Sequence, residues 1–183
     1  MSLLLGLLVA ALGWTTFTRA FHLADWSLVD YVNLPFHEAG HVFFSPFGST
    51  LHILGGTLGE LLVPALLGMN FLFRDRRLPG AAFCLWWLGE NFVYIARYMA
   101  DARDLELPLV GGGDHDWNEL FYRFGLLSET SVARVSSVTH ATGVVVMLAG
   151  LAWLAYFALP EGRRGAVREA ITARWPRGAT FLE

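Results

Sequence analysis

The chain has no lysine, a single cysteine, and few charges of either sign. Each scarcity excludes something. All thirteen basic residues are arginine, which reads as a bias of genome composition. Against sixteen acidic residues they leave a formal charge of −3, so no basic surplus exists for a nucleic-acid partner, and none is expected. Cys84 has no second cysteine to pair with, which excludes an intrachain disulfide and a cysteine-based metal centre. Charged residues make up 16% of the chain, where a soluble domain carries about 25%. The start, Met1-Ser2-Leu3-Leu4-Leu5, lacks the basic segment of a typical signal peptide. The apolar stretch behind it therefore reads as a retained membrane span, with a cleaved signal as the plainer alternative. No internal repeat or low-complexity tract is evident.

What the chain does have is apolar length. Hydrophobic residues make up 55%, with seven Trp and fourteen Phe. Four stretches reach the roughly 20 residues a membrane helix needs: about Leu3–Phe21, His52–Phe73, Ala81–Ala100 and Val132–Leu159. Backbone polar groups in lipid must be satisfied within the segment, so these are expected to be helices. The expected fold class is all-α: an integral membrane bundle of about four transmembrane helices plus a short membrane-dipping helix. Residues 1–160 form the membrane-embedded domain in this reading, and 161–183 a basic cytoplasmic tail that lies on the membrane surface or frays. Arg74, Arg76 and Arg77 follow the second stretch, and Arg163, Arg164, Arg168, Arg174 and Arg177 follow the fourth. By the positive-inside rule both segments, and both termini, are cytoplasmic. The acidic loop from Asp101 to Glu119 then faces outward, as does the segment Tyr31–Gly48. The expected setting is a bacterial inner (plasma) membrane.

The segment with chemistry is His37-Glu38-Ala39-Gly40-His41. Asn33 is a suitable helix cap and Pro35 suits a first turn. Ser45-Pro46-Phe47-Gly48 supplies the stop. The implied helix has about 11 residues and a length of roughly 16 Å, too short to cross a bilayer. Imidazoles four residues apart share one helix face and can hold one zinc ion, with Glu38 placed to act as general base toward a water at that ion. The plainer alternative is two interfacial histidines beside an unrelated glutamate. Imidazole and carboxylate donors also suit iron, nickel or cobalt.

A catalytic zinc usually has three protein ligands. His115, in Gly111-Gly112-Gly113-Asp114-His115-Asp116-Trp117, is one candidate for the third; its alternative is a solvated loop histidine. Asp116 and Glu119 form a plausible capping box, which gives Asp116 a structural explanation. Asp101 is the other candidate. Asn91, Tyr94, Tyr98 and Asp101 fall on one helical stripe that ends there. The alternative for Asp101 is an i,i+4 ion pair with Arg97. His52 and His140 read as hydrogen-bonding histidines rather than ligands. Glu60 reads as an interhelical hydrogen-bonding or proton-transfer group, and Gly55 and Gly59 as a site of close helix packing. Pro64 is expected to kink its span.

This HExxH segment beside a membrane span, with an aspartate on a later span, resembles the site-two-protease class of intramembrane zinc metalloproteases. The resemblance implies His37 and His41 as zinc ligands, Glu38 as the base, and Asp101 as the match for the third ligand. The pairing of His-Glu-Ala-Gly-His with His-Asp-Trp also looks like a small, separate family of bacterial membrane metallohydrolases, and points to His115. The expected function is a membrane-bound, zinc-dependent metallopeptidase. Hydrolysis of a lipid amide or ester by the same metal site is one alternative. A non-enzymatic scaffold closed by four protein ligands is the other. The expected partners are the lipid bilayer and a membrane-associated peptide or lipid substrate.

Overall fold

The computed structural model describes residues 3–22, 27–109 and 114–174, with side chains described to residue 170. The glycine run Gly111–Gly113 and the end of the basic tail, Arg177 included, lie outside the described residues. Every regular element among the described residues is helical. Helix α1 spans Leu3–Ala20, α2 Leu28–Phe44, α3 Ser49–Met69, α4 Leu78–Ala100, α5 Asp116–Arg123, α6 Glu129–Ala158 and α7 Glu161–Arg174. A 3-10 turn, Ser45–Phe47, joins α2 to α3, and a π turn, Asn70–Arg74, extends α3.

Three of these, Leu3–Ala20, Ser49–Arg74 and Glu129–Ala158, are long and apolar enough to cross a membrane. Four were expected. The fourth, α4, has 23 residues, but Glu90, Asn91, Tyr94, Arg97 and Tyr98 interrupt its apolar character. It is instead the core of the bundle. Trp86 and Trp87 are buried with Leu12 of α1 and Met147 and Leu154 of α6. Gly143 and Gly150 lie seven residues apart on α6. A Cβ at Gly143 would meet the backbone of Gly89 and Val93, and one at Gly150 the backbone of Trp86, so α4 and α6 touch nearly backbone to backbone. Large apolar side chains on the other long helices face outward: Trp14 is 68% exposed, Leu66 56% and Val145 66%.

Contacts fix the chain directions. Thr16 and Arg19 of α1 meet Trp86 and Glu90 of α4 in the same order, so these helices are parallel. Asn33 meets Trp87 and Asn91, and the His37 ring lies near the Tyr98 ring, which makes α2 parallel to α4 as well. Helices α3 and α6 run the opposite way. Since Arg19 and Asp30 both reach toward Glu90, α2 begins near the level where α1 ends and extends beyond it.

Helix α2 is longer than the sequence suggests: 17 residues rather than about 11. Ser27 is the N-cap, its hydroxyl accepting from Val29 N–H, while the Asp30 carboxylate accepts from Ser27 N–H. Asn33 is therefore not a cap. It is fully buried inside the helix, donating to Asn91 and accepting from the Trp87 indole N–H. Pro35 sits mid-helix, where neighbouring helices can re-satisfy the backbone group it leaves free. The stop falls where expected: Gly48 has φ of +101°, which a side chain would resist, and α3 starts at once.

Candidate metal centre

Helix α2 presents His37, Glu38 and His41 toward a cleft of about 910 Å³, with α3, α4 and α5 supplying the other walls. Its closeness to α3 comes from glycine. A Cβ on Gly40 would collide with the Gly55 carbonyl, and one on Gly59 with the carbonyl of Phe36. Gly56 lies directly under both rings: a Cβ there would press on His37 Cε1 and Nε2 and on His41 Nε2.

The rings are held by their Nδ1 atoms. His37 Nδ1 donates to Glu60 Oε1 at 3.0 Å, and His41 Nδ1 donates to the His52 carbonyl at 2.8 Å. His52 in turn donates from Nδ1 to the His41 carbonyl at 2.9 Å. A carbonyl oxygen only accepts, so His41 carries a proton on Nδ1, as His37 does where Glu60 is ionised. In the neutral rings both Nε2 atoms then carry a lone pair. These two atoms converge on one carboxylate oxygen, Asp116 Oδ2, at 2.9 Å from His37 and 3.3 Å from His41.

Lone pairs and a carboxylate repel unless a proton or a metal ion lies among them, and a metal takes the place of the proton when it binds. The three groups form a set able to hold a metal ion, with ligand atoms all within 4.8 Å of one another. Donors about 2.0–2.1 Å from a tetrahedral zinc sit roughly 3.3 Å apart, close to the spacings seen here. The donor chemistry and the spacing both fit a divalent ion. Proton binding reflects the same field. Burial opposes charge on His37, but Asp116 and Glu60 outweigh it and push its pKa up to about 10.

The expected ligands are thus partly redistributed. His37 and His41 come together with Asp116, while His115 and Asp101 lie elsewhere and face each other. His115 is the N-cap of α5: its Nδ1 accepts from Asn118 N–H at 3.1 Å, and its Nε2 faces Asp101 Oδ2 at 3.3 Å. Burial holds its pKa below the usual value despite the pull of Asp101. Asp101 also accepts from the N–H groups of Glu106 and Leu107, fastening the loop after α4. The capping box expected of Asp116 and Glu119 does not form. His115 takes the cap, Glu119 binds Arg123, and the Asp116 carboxylate is left to reach α2. Tyr98 steadies that residue by accepting from Asp116 N–H at 3.1 Å.

Glu60 was expected to hydrogen-bond between helices, and it does so to a candidate ligand. The wider polar network was not foreseen. Arg19 holds Asp30 at 2.6 Å and Glu90 at 2.7 Å, Asn33 bridges Glu90 to Asn91, and Asn91 donates to the Glu60 carbonyl. A continuous hydrogen-bonded path therefore runs from α1 to the helix turn that carries Glu60. His140 binds the Arg19 carbonyl through Nε2 and is not part of the His37, His41 and Asp116 group. Its sequence signal was only the general one, that ionisable groups on apolar helices turn inward. No family model, no curated protein and no solved structure matches this chain.

Proposed function

We propose that the chain is a membrane-embedded metallopeptidase in which His37, His41 and Asp116 hold a divalent ion, zinc by its donor set, and Glu38 is the general base. The observation that carries this reading is the convergence of the His37 and His41 Nε2 atoms on Asp116 Oδ2. Zinc, when bound to such a set, polarises a carbonyl and lowers the pKa of its water to about 7.

The residues of the chain do the rest. Glu60 and the His52 carbonyl orient the imidazoles, as outer partners of metal-binding histidines commonly do. Glu38 follows His37 on the cleft side of α2 and has no hydrogen bond or ion pair among the described residues. Its carboxylate is free to take the proton of the attacking water and pass it to the departing amine. With His115 and Asp101 engaged elsewhere, three protein ligands face the site among the described residues. That leaves a position for water and favours a catalytic centre over a closed scaffold.

The outward-facing apolar side chains of α1, α3 and α6 support a bilayer as the surroundings. In this reading α4 is the fourth span, enclosed by the others, and α2 dips in from the side opposite Arg74–Arg77. The arginine-rich end is cytoplasmic by the positive-inside rule, and the cleft opens toward the outer face of the plasma membrane.

The test is zinc content and cleavage of quenched fluorescent peptides by detergent-purified protein. Glu38→Gln should keep one zinc per chain and lose roughly 10²–10⁴-fold in rate. Undiminished cleavage by that variant, or no metal in wild type purified without chelator, would overturn the reading.

A further inference from the structure

Arg97 is a cation facing the cleft with nothing to hold among the described residues. The natural partner one turn on is Asp101, but that carboxylate caps Glu106 and Leu107 and faces His115. The other cleft arginine, Arg123, is engaged by Glu119, Ser49 and Thr50. Deeper in the bundle Arg19 is engaged by Asp30 and Glu90. Arg97 alone of these makes no ion pair or hydrogen bond among the described residues. Tyr94, one turn earlier on the same face of α4, lines the same cleft, and its hydroxyl likewise has no partner among them. Both flank Tyr98, whose ring lies 6.2 Å from that of His37.

A guanidinium on a helix within a membrane is costly without a counter-charge, and such residues mark substrate paths. The guanidinium is a donor only, and the phenol beside it has a free O–H to give. Together they suit an anion that accepts only, and the planar fork of arginine matches a carboxylate with two parallel bonds.

We propose that Arg97, assisted by Tyr94, binds a carboxylate of the peptide substrate close to the bond cleaved. The favoured substrates are then peptides cut near a free C-terminus or near an acidic side chain. This rests on the metallopeptidase reading and names its substrate class.

The test uses zinc-loaded Glu38→Gln protein in detergent, which binds without turnover. The probes are one hydrophobic pentapeptide with an N-terminal fluorophore in three forms: free C-terminal acid, C-terminal amide, and amide with one internal Asp. Fluorescence polarisation reads binding. At least one carboxylate form should bind about tenfold or more tightly than the neutral amide. Adding Arg97→Gln should bring that ratio near one, and Arg97→Lys should restore part of it. Preference for the free acid places the anion at the C-terminus; preference for the Asp form places it on a side chain. Zinc content and the elution profile show whether Arg97→Gln is folded. If it is not, Arg97→Lys and Tyr94→Phe carry the test, each expected to shrink the ratio.

Equal binding of all three forms, or a preference that survives substitution of Arg97, overturns the proposal. So does selective competition by a short-chain anionic phospholipid without discrimination among the peptides, which assigns Arg97 to a headgroup. If wild type cleaves no peptide while the Arg97-dependent preference persists, the metallopeptidase reading fails and the carboxylate site stands.

Discussion

Asp116 stands one residue beyond His115, and that step decides which side chain meets the histidines of α2. A residue at a helix N-cap turns its side chain back to the backbone N–H groups of the first turn. His115 holds that position, so its Nδ1 is taken by Asn118 N–H and its ring packs at a tilt against Tyr98, with centroids 4.1 Å apart. The next residue is released from capping and its carboxylate projects across the cleft. Zinc content by elemental analysis separates these roles. Asp116→Ala should leave the purified protein without zinc. His115→Ala and Asp101→Ala should retain it with affinity lower by roughly 10–100-fold, since they support the loop that aims Asp116. Zinc lost in His115→Ala and kept in Asp116→Ala would reverse the assignment. In the sequence, His115 had no evident structural duty and Asp116 had one. The three-dimensional cap exchanges those duties.

At the scale of elements, the seam between α2 and α3 sets the site. Gly55 and Gly59 were legible as a packing surface, and Gly40 as part of the His37–His41 segment. What they pack against, each other across an antiparallel pair, appears only in the fold. The seam brings Glu60 beneath His37 and interlocks His41 with His52 through reciprocal ring-to-carbonyl bonds. A methyl at Gly40 must push the helices apart, because the atom it meets is a backbone carbonyl. Gly40→Ala should lower stability by about 1–3 kcal/mol, in line with overpacked cores. Its zinc content should fall with it. Gly13→Ala provides the contrast: its Cβ would find only Leu151 Cδ2 at 3.7 Å, an ordinary contact. Thermal unfolding in detergent checks the pair. Equal midpoints would mean the seam is looser than its geometry implies.

The whole molecule has a polar layer between a long apolar body and the cleft. Below it lie the long apolar stretches of α1, α3 and α6; within it lie Arg19, Asp30, Glu60 and Glu90, all buried. Arg74–Arg77 and the cleft occupy opposite ends of α3 and α4. In the proposed orientation single cysteines should label from opposite sides of a sealed membrane. Asp104→Cys should react with an impermeant thiol reagent added outside, and Arg74→Cys only after permeabilisation. Cys84 provides a silent background, being 3% exposed. Labelling of both positions from one side would show that α4 does not cross.

By itself the sequence determined the helical periods and their approximate limits, because apolar runs and turn residues act locally. Three of the four expected stretches emerge as helices long and apolar enough to span a membrane, and the fourth as a long helix with a polar stripe. It also offered His37, Glu38 and His41 as one unit, since four residues make one helical turn. Only the tertiary structure decided what faces them. The choice of Asp116 over His115 or Asp101 depends on how a short helix 75 residues later is capped and docked. The engagement of Glu60 with His37, and of Arg19 with Asp30 and Glu90, depends on which turns of separate helices lie level. Hydrogen bonds act over about 3 Å, and no local pattern encodes distances between segments so far apart along the chain.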